Sequence, residues 1–182
     1  MSLLQVLAVL VLALLLAGVW IFNRLVRQRN VVKEAWAGID VQLQKRHELV
    51  PNLVATVKGY TQHESAAFEK VTRIRSDQAD SVSDRGASES SLSRSLSRLF
   101  ALAEDYPDLK ASEGFQQLHT SLVEIEEHLQ FARRYYNGAV RDNNNLVESF
   151  PSNLVAGLFG FRSAEFFEVE LASVRQVPDV SL

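Results

Sequence analysis

Hydrophobic residues in this chain form one unbroken block and then long stripes at helical spacing. From Leu3 to Phe22 the run LLQVLAVLVLALLLAGVWIF holds one polar residue, Gln5, and no charge. As a helix, about 20 residues rise roughly 30 Å, the thickness of a bilayer's hydrocarbon core, so the block is long enough to span it. A cleaved signal peptide needs a basic start, a shorter apolar core and a small-residue cleavage site. Met1 and Ser2 carry no charged side chain, the apolar run is long, and Trp20 stands where an interfacial aromatic belongs. Residues 1–23 are therefore expected to be a retained transmembrane anchor.

Beyond the block the period changes. Trp36, Ile39, Leu43, His47, Val50, Val54, Val57, Thr61, Glu64, Phe68 and Val71 recur at three-and-four spacing, which predicts one amphipathic helix. Pro51 lies inside it and predicts a kink near Val50, because its ring removes a donor and crowds the preceding turn. Residues 76–91, SDQADSVSDRGASESS, have Val82 as their only sizeable apolar side chain. So little burial cannot offset ordering entropy, and a mobile loop is expected there. A second helix is expected to start in the serines from Ser88 to Ser91, whose hydroxyls can cap free amides. It carries Leu92, Leu96, Leu99, Phe100 and Ala103 and stops before Pro107. A third carries Phe115, Leu118, Leu122, Ile125, Leu129, Ala132, Tyr136, Val140, Asn143 and Val147, and Pro151 ends it in the same way.

Three apolar faces must bury one another, and no segment sustains alternation of period two. The expected fold class is all-α: an N-terminal transmembrane helix followed by an antiparallel long-helix bundle over residues 24–170, with residues 171–182 as a C-terminal tail. After Phe150 the pattern loses its clarity. PSNLVAGLFGF is apolar, and EFFEVELASV fits either a short helix or a strand.

Charge sharpens this picture. All 19 Lys and Arg and all 22 Asp and Glu lie beyond Phe22, giving a net charge of −3. Arg24, Arg27, Arg29 and Lys33 form a +4 collar beside the block, which leaves −7 on residues 34–182. The positive-inside bias places the collar and the bundle in the cytoplasm of a bacterial cell, with the amino-terminal end outside. An acidic body argues against nucleic acid as a partner, since that partner selects a basic face. At 182 residues with 47% hydrophobic content, one anchor and one globular domain account for the chain. There is no Cys, hence no disulfide, thiol nucleophile or cysteine metal site.

Motifs for chemistry are hard to find. His63 and Glu64 begin HESAA, which puts Ala67 where a helical zinc-protease motif needs its second His. His47 and Glu48 are neighbours, and neighbours on a helix point about 100° apart, too far to share an ion. The serines have no His nearby in sequence, and no glycine-rich turn offers a phosphate cradle. No catalytic residue, metal or cofactor is expected. Polar groups on or near the stripes, His47, Asn52, Glu64, Glu126, Arg133, Asn137 and Asn144, read as an internal network setting helix register, with an interaction surface as the alternative. Phe159, Phe161, Phe166 and Phe167 fall close together after the three helices. They read either as a buried cap or as a surface for a neighbouring chain or the bilayer.

The stretches RNVVKEAWAGIDVQLQKRHELVPNLVATVKGYTQHE at 29–64, EDYPDLKAS at 104–112, ARRYYNGAV at 132–140 and FPSNLVAGLFGF at 150–161 resemble, in order, the LemA family of bacterial membrane proteins. The resemblance covers nearly the whole chain. It implies a helical membrane protein and carries over no catalytic residue. Because family members are associated with membrane-bound proteases or envelope stress, it implies a non-enzymatic scaffold that organises a membrane or membrane complex, self-associating on the bilayer. The runner-up is an adaptor for a membrane protease, and the third alternative a hydrolase with an unrecognised site.

Overall fold

The computed structural model describes residues 2–60 and 82–168, and every regular element among them is a helix. In chain order these are α1 (Leu3–Lys58), α2 (Val82–Glu104), α3 (Pro107–Ala111), α4 (Glu113–Glu148) and α5 (Ser152–Phe159). The all-α bundle fold with a long apolar N-terminal helix is thus what forms. Residues 165–168, at the start of EFFEVELASV, are neither helix nor strand, and the rest of that stretch lies outside the described residues.

α1 joins the apolar block and the first stripe in one helix. Its buried positions Leu25, Ala35, Ile39, Leu43, Arg46, Val50, Leu53 and Val57 keep the heptad-like spacing that holds one face inward. Pro51 sits inside, and the helix continues past it to Lys58. The expected continuation through Thr61, Glu64, Phe68 and Val71 lies outside the described residues. On α4 the predicted stripe is the observed one. Phe115, Leu122, Ile125, Leu129, Tyr136, Val140 and Asn143 are buried in register.

The expected loop needs correction. Residues 82–91 are the opening turns of α2, so the helix begins at Val82 rather than in the serines, and residues 76–81 lie outside the described residues. Polar anchoring replaces the missing apolar side chains. Gly86, Glu89 and Ser90 are buried, and Ser90 Oγ donates to Gly86 O at 2.8 Å. A side chain at Gly86 would run into the backbone carbonyl of Glu168, so glycine lets the chain pass there.

The chain divides into two compact units, to both of which α1 and α4 contribute. In the unit of Met1–Ile39 and Ala132–Glu165, α1 and α4 run antiparallel. Gln28 Nε2 donates to Ala139 O at 3.2 Å, and the Trp36 and Tyr136 rings lie 5.3 Å apart. α5 belongs to this unit and ends at Gly160, whose φ of 71° is the left-handed cap glycine supplies most readily.

In the unit of Asp40–Phe131 and Phe166–Leu182, the aliphatic core joins Val50, Leu53, Val54 and Val57 of α1, Leu92, Leu96, Leu99 and Ala103 of α2, Leu109 of α3, and Phe115 and Leu122 of α4. The pairs Asp40–Arg85 and Arg46–Glu89 set α2 alongside α1 in the same direction. Arg46–Glu126 and Phe100–Phe115 set α4 antiparallel to both. Tyr106 leaves helical geometry before Pro107, with φ −120° and ψ 89°, as proline sterics favour, and this break lets α3 place Leu109 in the core.

Candidate functional site

Two features stand out as places where this molecule meets something else or fixes its own form: an apolar sleeve in the first unit and an ionic cluster in the second. The sleeve begins with the block on α1, whose most apolar stretch has no buried residue although it is long enough to cross a membrane. α5 lies against its last turns. The Phe22 ring meets Phe159 edge-on at 4.8 Å and Phe161 at 5.6 Å. Leu14, Gly18 and Phe22 of α1, with Val155, Leu158 and Phe159 of α5, line an apolar groove of about 370 Å³. Cations mark its edge, with Arg24 stacked 5.4 Å from the Trp20 ring and Arg29 5.3 Å from that of Phe161.

The four phenylalanines divide between the two units. Phe159 is 59% exposed, whereas Phe161 is half-buried under Arg29. Phe166 and Phe167 fall in the other unit, where Phe167 is buried at 2% exposure and belongs to the interior. What the aromatic count missed is an exposed aliphatic pair one turn apart on α5, Leu154 and Leu158 at 65% and 79% exposure, with Phe150 at 79% in the turn before it; the i,i+4 spacing of the two leucines could have found them.

The ionic cluster centres on Arg46, 4% exposed. Its Nη1 lies 3.4 Å from Glu89 Oε2, its Nη2 donates to Ser93 Oγ at 2.8 Å, and the same Nη2 is 3.1 Å from Glu126 Oε2. His47 Nε2 meets the other Glu89 oxygen at 2.8 Å. One buried carboxylate on α2 therefore holds two basic side chains of α1. Both core roles fall on residues the stripe did not show. Arginine can fill a stripe position because its aliphatic stem packs while the guanidinium reaches partners in a fixed fork. Glu89 was hidden in the expected loop. His47 also borders a surface cleft of about 660 Å³ with Asp40, Gln44, Glu48 and Arg85, whose lining residues include no hydroxyl or thiol.

Asn52 is exposed, and its backbone oxygen accepts from Thr56 Oγ1 at 2.8 Å. Glu64 lies outside the described residues. Arg133 is buried and Asn137 half-buried on α4 in the first unit, where Asn144 acts as a clamp. Asn144 Oδ1 accepts from Ala164 N at 2.8 Å, and its Nδ2 donates to Ala164 O at 3.0 Å. Neighbouring Asn143 reaches Arg162 O at 3.4 Å, and Tyr136 Oη donates to Glu165 O at 2.9 Å. Together they tie the segment after α5 along α4. Burial, and secondly the charge of Glu165, raise the Tyr136 phenol above its ordinary pKa.

A family model described as the LemA family matches residues 35–182. The chain belongs to the LemA family. Among curated relatives, magnetosome protein MamQ 2 of Paramagnetospirillum magneticum is 24% identical over 81% of this chain and 64% of its own length. Magnetosome protein MamQ of Magnetospirillum gryphiswaldense is 21% identical over 80% and 64%. Protein LemA of Metamycoplasma hominis is 25% identical over 80% and 68%. The chain thus spans just under two thirds of the length of the MamQ relatives. As a LemA-type protein it is membrane-associated, and the family match takes in α4, α5 and most of the stripe on α1.

Proposed function

We propose that the protein is a non-enzymatic scaffold, fixed by one pass in a bacterial cell membrane with its bundle on the cytoplasmic side. The observation that carries this reading is the continuity of α1. One helix holds both the exposed apolar block and the buried stripe, so the bundle is joined to its anchor without a flexible linker. Anchored chains meet in a plane at high effective concentration, and weak lateral contacts then suffice for self-association. Kinship with LemA and MamQ proteins, whose names carry no reaction, supports a structural role. The +4 collar supports the cytoplasmic orientation.

A reporter fused after Leu182 is expected to be active only in the cytoplasm, and a detergent pull-down is expected to recover further copies of the same chain. Recovery of a membrane protease without self-association would replace the scaffold by the protease adaptor. A periplasmic reporter signal would overturn the orientation.

A further inference from the structure

We propose that α5 is a hydrophobic wedge seated among the acyl chains of one leaflet, the leaflet that adjoins the basic collar. The inference rests on the anchored reading of α1 and adds a second membrane contact from a segment far away in sequence. Depth comes first. α5 packs where Leu14, Gly18 and Phe22 line the groove with Val155, Leu158 and Phe159. Leu14 and Phe22 are eight residues apart, a rise of about 12 Å, so this contact occupies much of one leaflet of a core roughly 30 Å thick. If α1 crosses the bilayer through its apolar block, the flank of α5 that touches this stretch lies at hydrocarbon depth.

Chemistry agrees with depth. The helix SNLVAGLF has no charged residue, and its one exposed polar side chain is Asn153 in the first turn. Leu154, Leu158 and Phe159 are exposed, with Phe150 just before them. In water such a row is a cost, while beside an apolar span it continues one lipid-facing surface. The collar end of the contact is marked by two cation–aromatic pairs. Arg24 over Trp20 lies on the span, and Arg29 over Phe161 lies one residue past the Gly160 cap. Arginine and tryptophan are side chains that settle at headgroup level. Buried Ser152 donates to Ser149 O at 2.9 Å, and Gly160 and Phe161 amides return to Ala156 O, so this hydroxyl and these two amides are satisfied internally. The occupant that fits is the bilayer itself.

The chain has no Cys, so single cysteines can carry an environment-sensitive fluorophore on the full chain. Leu154→Cys and Leu158→Cys report the wedge, Leu10→Cys the span, and Glu124→Cys, exposed on α4, the water. The variants are reconstituted into phosphatidylcholine–phosphatidylglycerol vesicles and quenched either by acyl-chain nitroxides or by aqueous iodide, with helical content checked for each. The wedge requires blue-shifted emission at 154 and 158, loss of intensity with nitroxide lipid as large as at Leu10, and protection from iodide. Iodide quenching at both sites as strong as at Glu124, with Leu10 still quenched by lipid, would overturn the wedge and leave the anchor standing. Protection from both quenchers would also overturn it, because protein and not lipid would then cover the row. Iodide access at Leu10 would remove the anchored reading itself.

Discussion

Where Met1–Ile39 packs with Ala132–Glu165, the side chains that bind backbone carbonyls across segments are neutral: Gln28, Tyr136, Asn143 and Asn144. Arg133 is buried there too. In the unit of Asp40–Phe131 and Phe166–Leu182, the polar contacts are instead built on the buried Arg46–Glu89 pair, which the half-exposed His47 and Glu126 join so that three helices meet. The contrast follows from what each kind of group does when buried. A neutral amide exchanges water for a carbonyl at nearly even free energy and asks only for geometry. A buried charge loses several kcal/mol of hydration and is tolerable only with its partners in place, which makes it a strong selector of one register. The first unit uses polar groups to lay a strand of chain along a helix. The second uses them to decide which helices meet and where.

The comparison is broken most severely at Glu89. Glu89→Gln leaves the Arg46 guanidinium and His47 without their shared anion while Glu126 and Ser93 remain, and the expected loss is about 3 kcal/mol. Thermal unfolding in detergent, followed by circular dichroism, measures it. Arg46→Met combined with Glu89→Leu should recover most of that loss, because apolar side chains of similar volume pack without a desolvation cost. A single-variant loss below about 1 kcal/mol would mean that the cluster behaves like an exposed ion pair.

The charge-neutral clamp should give way more gently. Asn144→Ala removes both bonds to Ala164 and is expected to cost about 1–3 kcal/mol. Its signature is local: hydrogen exchange at the Ala164 amide should accelerate while amides in the middle of α4 keep their protection. Unchanged protection at Ala164 would show that something other than Asn144 holds the segment.

How far the residues announced all this depended on which period they followed. The α4 stripe from Phe115 to Val147 was readable because apolar residues fill nearly every inward position. So was the apolar block. The ionic cluster is half-legible: His47 and Glu126 stand out as polar groups on or near the stripes, but hydropathy alone cannot distinguish Arg46 in its core position from an arginine on the surface. The opening turns of α2 are hidden for a related reason. Val82 to Ser91 offers little apolar area, and its anchors are contacts between residues some 40 positions apart, Arg85 with Asp40 and Glu89 with Arg46. Such pairs have no local pattern. In the phenylalanine set Phe166 and Phe167 are adjacent and only the second is buried, and a count of aromatics carries no such phase.

The smallest effect, and the one that tests the neutral character of the first unit most directly, belongs to Tyr136. Tyr136→Phe keeps the ring against Trp36 and removes only the bond to Glu165 O, so about 0.5–1.5 kcal/mol should be lost at neutral pH. The alkaline behaviour carries the sharper information. In the unfolded chain the phenol ionises near its ordinary value of about 10, whereas in the fold burial, and then the charge of Glu165, hold it protonated to higher pH. Above the ordinary value the folded state therefore binds more protons than the unfolded one, and stability falls as pH rises toward the raised folded value. Phenylalanine has no such proton to lose. The stability advantage of the native tyrosine over Tyr136→Phe should thus be constant below the ordinary phenol pKa and shrink steadily above it, as read from melting temperatures across that range. A gap that stays constant into the alkaline range would mean that the phenol ionises as readily in the fold as outside it, and its bond to Glu165 O would not be a buried one.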